Sequence, residues 1–419
     1  MNNEAALGVE AFDVAALPAG SKQRQHLAIT QLPDGAPVSF PALVARGAEP
    51  GRTLLATGAV HGDEFEGGIA IQDLFEELDP QSMRGTFVGI PVVNAPAFVA
   101  GERSGRHDRH DLARVFPGSA EGTISERIAH ALTEHVIPHA DLYADLHSAG
   151  NVHRITPFAG YQLSASLGEM QRRAAIAFGL DLVWGTSYLP GRSLSAARAK
   201  GVPAIYVELE GEGRARPGSR AIALQGLRNL LAMLGIHHGS YPEQARHVVE
   251  DDREHSGHLQ LGTVAAESGL FLPSVELWDR VEVGQPIGEI RNVDGRVVTA
   301  VRASQAGRVL LLRDDKAEPR SASCTSGFGA LLLSSSRERK MSSVHLRATR
   351  RWPSLAAYSI DARMALYRGV RFPTAATNTG GWEAHENAAV GAGAHLPLDA
   401  VGGEDLVRVV GAPAGQLVR

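Results

Sequence analysis

Four runs within the first 210 residues are predominantly apolar, and they alternate with stretches of helical spacing. The runs are Thr53–Val60, Thr86–Asn94, Leu142–Leu146 and Pro203–Leu209. A strand without a polar face is covered on both sides, which is the habit of a parallel sheet. Between the runs, Glu66–Leu78, Leu167–Phe178 and Ala221–Leu234 repeat apolar residues at helical intervals. Another helix starts at Thr123, where Glu126 three places on completes a capping box, and it runs to about Val136 before Pro138. Strands alternating with helices predict an α/β/α core with a mixed, mostly parallel sheet. Ligands of such folds bind beyond the carboxyl ends of the strands. His61, His147 and Glu208 fall at those ends.

The chain has 419 residues, more than one ordinary domain uses, and a composition shift shows where it divides. The catalytic candidate region spans 1–250. Within 260–315 the runs shorten, and Phe271–Arg313, with a turn at Asp294-Gly295, predicts a small all-β domain. Between Lys316 and Arg371, 11 Lys and Arg stand against 3 Asp and Glu, and the Gly- and Ala-rich remainder lacks a period. The segment 316–419 therefore predicts a poorly specified tail. A charge run of this kind is ordinarily a solvated face, so no nucleic-acid partner is expected.

Hydrophobic residues make up 44% of the chain, enough for a large core, and the net charge of -5 gives no general basic surface. The N-terminal segment lacks the pattern of a secretory signal, and no apolar stretch reaches membrane-spanning length. The expected location is the cytoplasm, with no membrane partner. The single cysteine, Cys324, allows neither an internal disulfide nor a thiolate cluster. Any metal must then use His, Asp or Glu. His61 and Glu64 stand three apart just past a strand, in Gly58–Gly67 (GAVHGDEFEG), where a turn can aim both at one cation. His147 at another strand end supplies a third donor. Two His and one Glu, with a fourth position for water, make a known catalytic zinc arrangement. Other candidates are weaker. His107 and His110 sit among Arg103, Arg106, Arg109 and Arg114, which repel a cation, and His237 and His238 follow a helix end.

Five motifs in order strengthen this reading: HGDE at His61–Glu64, NAPAF at Asn94–Phe98, DLARVFPG at Asp111–Gly118, DLHS at Asp145–Ser148 and PAIYVEL at Pro203–Leu209. Over about residues 28–313 the chain resembles the succinylglutamate desuccinylase/aspartoacylase family of the zinc carboxypeptidase superfamily. The resemblance implies a carboxypeptidase-like core followed by a small β-domain. It implies one zinc ion held by His61, Glu64 and His147, with Glu208 as the carboxylate that activates water. Arg103 matches the arginine that polarises the scissile carbonyl, with Arg106 close by in sequence, and Arg114 matches the arginine that grips a substrate carboxylate. Glu210, one strand period beyond Glu208, is the alternative base. Where the family has Asn before that arginine, this chain has Ala113, which removes a polar partner of the substrate. The expected activity is a zinc-dependent deacylase cleaving the amide of a small N-acyl amino acid. A zinc carboxypeptidase on short peptides is the alternative, and a non-catalytic zinc-binding module is the alternative of another class. The expected partner is a small-molecule substrate, and assembly into a homo-oligomer stays open.

Overall fold

The structure, a computed structural model, describes residues 7–164, 166–254, 256–259, 267–313 and 331–333. The strands of the main sheet in chain order are β1 (Leu7–Gly8), β2 (Ser21–Gln31), β3 (Pro37–Arg46), β4 (Glu49–Gly58), β5 (Arg84–Ile90), β6 (Leu142–Ser148), β8 (Phe158–Gln162), β9 (Leu182–Thr186), β10 (Ala204–Leu209) and β11 (His247–Asp251); the short strand β7 (His153–Ile155) pairs elsewhere. They hydrogen-bond in the order β1-β2-β3-β5-β4-β6-β10-β8-β9-β11. Six of the nine pairings are parallel and three antiparallel. The mixed, mostly parallel sheet expected from the alternating runs is therefore present. The hairpin of β2 and β3 extends it on one side; β2 is mostly half-buried, a weaker pattern than the apolar runs, whereas residues 42–45 of β3 are buried on both faces.

Helices α1 (Glu66–Glu77), α2 (Ala95–Ala100), α3 (Ile124–Ala131), α4 (Gly168–Phe178), α5 (Ser193–Ala199) and α6 (Pro217–Leu234) complete the core. Side chains alternate along a strand, so each run divides between two layers. Leu142, Ala144 and Leu146 of β6, with Ile205 and Val207 of β10, pack against residues of α1, α4 and α6. Tyr143 and Tyr206 face the opposite layer, with Ile128 of α3 and Leu194 of α5. Asp145, His147 and Glu208 fall by the same alternation on this second face. Thr123 forms the capping box with Glu126, as its sequence predicts, and α3 passes at Leu132–Val136 into a wider turn before Pro138. Among the described residues no helix is long and apolar enough to cross a membrane.

From Leu270 to Arg313 all regular elements are strands: β12 (Leu270–Pro273), β13 (Arg280–Val281), β14 (Pro286–Arg291), β15 (Val297–Arg302) and β16 (Gly307–Arg313). They have a core of their own around Phe271, Ile287 and Val309. The region is also joined to the main layers. β16 pairs with β7, Leu311 opposite Ile155 and Arg313 opposite His153, and Leu310 and Leu311 belong to the large core.

One short strand is described within the segment expected to be a poorly specified tail. Leu331–Leu333 forms β17 and pairs with β16 through Arg308, Val309 and Leu311, because β16 otherwise leaves one edge of backbone groups unpaired. The rest of 316–419, including the basic run and Cys324, lies outside the described residues. A chain ended after Leu333 keeps β17. One ended after Arg313 loses the β17 hydrogen bonds, each worth about 0.5–1.5 kcal/mol, and should melt lower. Equal melting temperatures for the two truncations would mean that β17 contributes nothing.

Candidate metal and active site

Parallel strands β4, β6 and β10 end side by side, and the site is built on those ends. After Gly58 the chain turns through Ala59–Asp63 under α2. Gly62 permits this turn: a Cβ there would lie 2.0 Å from the Ala97 carbonyl carbon. Asn94 fastens the same junction. Its side chain accepts from Ala97 N at 3.3 Å, capping α2, and donates to Val60 O at 3.3 Å. The HGDE and NAPAF motifs are thus two sides of one contact, and it aims His61 and Glu64 inward.

His61, Glu64 and His147 each bring a donor atom within 4.8 Å of the others, and among the described residues this is the one such group of His, Cys, Asp or Glu. All three are buried. Nδ1 of His61 lies 2.7 Å from Oε1 of Glu64, and Nδ1 of His147 lies 2.9 Å from Oε2. Each imidazole turns its other nitrogen to an aspartate. His61 Nε2 is 3.1 Å from Asp111 Oδ1, and His147 Nε2 is 3.2 Å from Asp145 Oδ2. A carboxylate behind a histidine fixes its ring and tautomer, as in many metal sites. The donors, their convergence and these two aspartates fit a single metal ion. Burial alone would raise the Glu64 carboxyl, but the two imidazoles outweigh it and hold it well below the usual carboxylate range.

Glu208 is the register partner of His147 across β6 and β10. It is only 9% exposed, and burial pushes its carboxyl up to about 7 against the pull of the His147 and His61 imidazoles. That is the range of a group able both to take and to return a proton near neutrality. Glu210 does not share this place. β10 ends at Leu209, and Glu210 turns away to accept from Ser219 Oγ at 2.9 Å, at the start of α6. Strand alternation stops where the strand stops, so Glu210 does not share the surroundings of Glu208.

Arg103 donates to Asp111 Oδ2 from Nε at 3.1 Å and Nη2 at 3.0 Å, and its Nη1 is 3.8 Å from Glu64 Oε1. Arg106 instead grips Glu102 at the surface. Of the two arginines, Arg103 is the one beside the His-Glu-His group. Arg114 ends a short turn (Leu112–Arg114) capped by Asp111, whose Oδ1 accepts from Ala113 N at 3.0 Å. Burial lowers the Arg114 guanidinium, and the neighbouring positive charges of Arg192 and Arg103 lower it further. The exposed His107 and His110 lie outside the site; His110 Nδ1 is 3.3 Å from Thr123 Oγ1. His237 and His238 line a cavity of about 360 Å³ between α1 and α6, in the other layer.

Several neighbours were not singled out in the sequence. Arg192, just before α5, donates to Gly257 O at 2.6 Å and lies 5.9 Å from the Tyr206 ring centroid. His153 of β7 is pushed down to about 4 by burial and by the Arg313 and Arg103 guanidiniums, so it stays neutral at ordinary pH. Asp145 is fully buried and collects Thr57 Oγ1 at 2.6 Å and the Ser193 hydroxyl. Only the DLHS motif, which carries Asp145, could have pointed to any of these.

The sheet order and the buried His-Glu-His group at its strand ends define an α/β protein with a candidate metal centre. The chain belongs to the succinylglutamate desuccinylase/aspartoacylase family, a group of deacylases. The Succinylglutamate desuccinylase/Aspartoacylase catalytic domain matches residues 50–234. An N-alpha-acetyl-L-2,4-diaminobutyric acid deacetylase from Halomonas elongata is 33% identical over 279 residues, 64% of this chain and 80% of that protein. A succinylglutamate desuccinylase from Silicibacter sp. superposes with a TM-score of 0.66 at 26% identity, covering 76% of this chain and 98% of the other. The product-bound ectoine utilization protein EutE (DoeB) from Ruegeria pomeroyi does so with a TM-score of 0.65 at 27% identity, covering 76% and 97%.

Proposed function

We propose that the protein is a zinc-dependent amidohydrolase that removes the acyl group from a small N-acyl amino acid. The observation that carries this reading is the buried Glu208 beside the His61–Glu64–His147 group, with Arg103, Arg114 and Arg192 close enough to act on the same charges. Zinc in that group would supply a Lewis acid and lower the pKa of water. The chain's own residues divide the remaining work. Glu208 takes a proton from the attacking water and passes it to the leaving nitrogen, so that the amide yields a carboxylic acid and a free amine. The Arg103 guanidinium, already drawn toward Glu64, stabilises negative charge developing on the carbonyl oxygen. Arg114 and Arg192 offer paired positive charge to the substrate carboxylate, for which a planar fork is suited. Two crowded guanidiniums repel each other, and an anion between them relieves that repulsion.

Ala113 is buried and has no side-chain donor to add. Recognition of the carboxylate therefore falls to the arginines. The compound named for the Halomonas relative, N-alpha-acetyl-L-2,4-diaminobutyric acid, heads the test panel. Zinc-loaded protein assayed against it, acetylaspartate, succinylglutamate and a set of dipeptides should cleave an N-acyl amino acid fastest. Faster turnover of the dipeptides would give the function to a carboxypeptidase. Arg114→Ala and Arg192→Ala should each raise KM more than they lower kcat, because they bind ground state and transition state alike.

A further inference from the structure

We propose that Ser193 is a positioning residue that couples the metal group to the substrate-gripping arginines through the Gly191-Arg192-Ser193 turn; the inference rests on the deacylase reading above. On one side, the Ser193 hydroxyl donates to Asp145 Oδ2, the oxygen that also lies 3.2 Å from His147 Nε2. Ser193 is 4% exposed and Asp145 is fully buried. The carboxylate orienting the histidine is therefore itself oriented, by α5 through Ser193 and by β4 through Thr57. On the other side, Ser193 follows Arg192 directly, and Gly191 lies against the backbone of Arg114. A Cβ on Gly191 would stand 2.4 Å from Arg114 O, and the φ of +81° is one that glycine adopts readily. The turn is pinned again where Phe116 N donates to Gly191 O at 3.1 Å and Ser195 Oγ donates to Leu189 O. One short turn thus touches the backbone of one arginine, carries the other, and ends on the aspartate behind a metal ligand.

Thr57 and Ser193 share one of these jobs and not the other. Both donate to Asp145, but only Ser193 belongs to the arginine turn. That difference makes the coupling testable. Zinc affinity is measured by chelator competition, and KM is measured for an N-acetyl amino acid and for the N-acetyl amine that lacks its carboxylate. Ser193→Ala should weaken zinc by about 10-fold, the lower end of the usual effect of losing a partner of a ligand, because Ser193 acts on His147 only through Asp145. It should also raise KM for the carboxylate substrate by about 3–10-fold, with the amine analogue unmoved. Thr57→Val should weaken zinc without that KM split. Ser193→Thr, which keeps the hydroxyl, should restore both. Unchanged zinc affinity in a folded Ser193→Ala protein overturns the proposal, as does a KM increase equal for both substrates. If Ser193→Ala does not fold, a Ser193→Thr protein that binds zinc no better than Ser193→Cys, whose thiol is a weak donor, overturns it too. If wild-type protein cleaves neither compound, the deacylase reading fails, while the zinc measurement still decides whether Ser193 supports His147.

Discussion

Glu208→Gln is expected to retain zinc while turnover falls by about 10²–10⁴-fold, the usual contribution of a positioned proton carrier. The amide keeps the size and much of the hydrogen bonding of the carboxylate but cannot accept a proton. The same variant carries a pH signature. Glu208 acts in its deprotonated form, so kcat/KM rises with pH through the Glu208 pKa and is lost below it. Burial places that pKa at about 7, and a dication in the site lowers it from there. Wild-type kcat/KM should therefore fall on the acid side of about pH 7, with the acid limb absent from whatever activity Glu208→Gln retains. A variant with full turnover would remove Glu208 from the reaction, and an intact acid limb would assign the limb to another group.

His147→Ala and His61→Ala should each lose zinc and activity together, and they should differ in stability. Removing His147 deprives Asp145 of its cationic neighbour, and Asp145 is 0% exposed. Leaving a buried acceptor short of a partner costs about 1–3 kcal/mol. Removing His61 leaves Asp111, whose side chain is 25% exposed and still holds Arg103 at 3.0 Å. Denaturant titration of the zinc-free proteins should thus find His147→Ala the less stable of the two. Full zinc occupancy in either variant would falsify the ligand assignment, and equal stabilities would show that Asp145 does not depend on His147.

The layered core was legible because burial on both faces leaves a mark in the residues themselves. Leu142–Leu146 and Pro203–Leu209 are apolar at all but one position each, and a strand of that kind has few places to go. The β2–β3 hairpin, β8, β9 and β11 were not read from the sequence. β2 keeps charged and polar residues at most positions, and β8 and β9 are five residues each, too short for a period to separate strand from helix. β17 was missed for a similar reason: three residues pair with β16 through backbone groups, and backbone pairing has no composition of its own.

For the site, His61, Glu64, His147 and Glu208 were legible as motif residues at strand ends. The different surroundings of Glu208 and Glu210 were not, since both lie at the right period; β10 ends at Leu209, and Glu210 bonds to Ser219 instead. Nor were the different partners of Arg103 and Arg106, three apart on one loop: Asp111 holds the first and Glu102 the second. Arg192 is separated from Arg114 by 78 positions, and a long separation in sequence hides any pair that meets only through folding.

What the sequence determined by itself is the set of strands whose ends carry the chemistry, because hydrophobic periodicity and residue type are local properties. What only the tertiary structure decided is which charges meet: Asp145 with His147 and Ser193, Asp111 with His61 and Arg103, and Arg192 near Arg114. Electrostatic and hydrogen-bond energies depend on distances of a few ångströms across the strands, and those distances exist only after β4, β6, β10 and α5 have packed together.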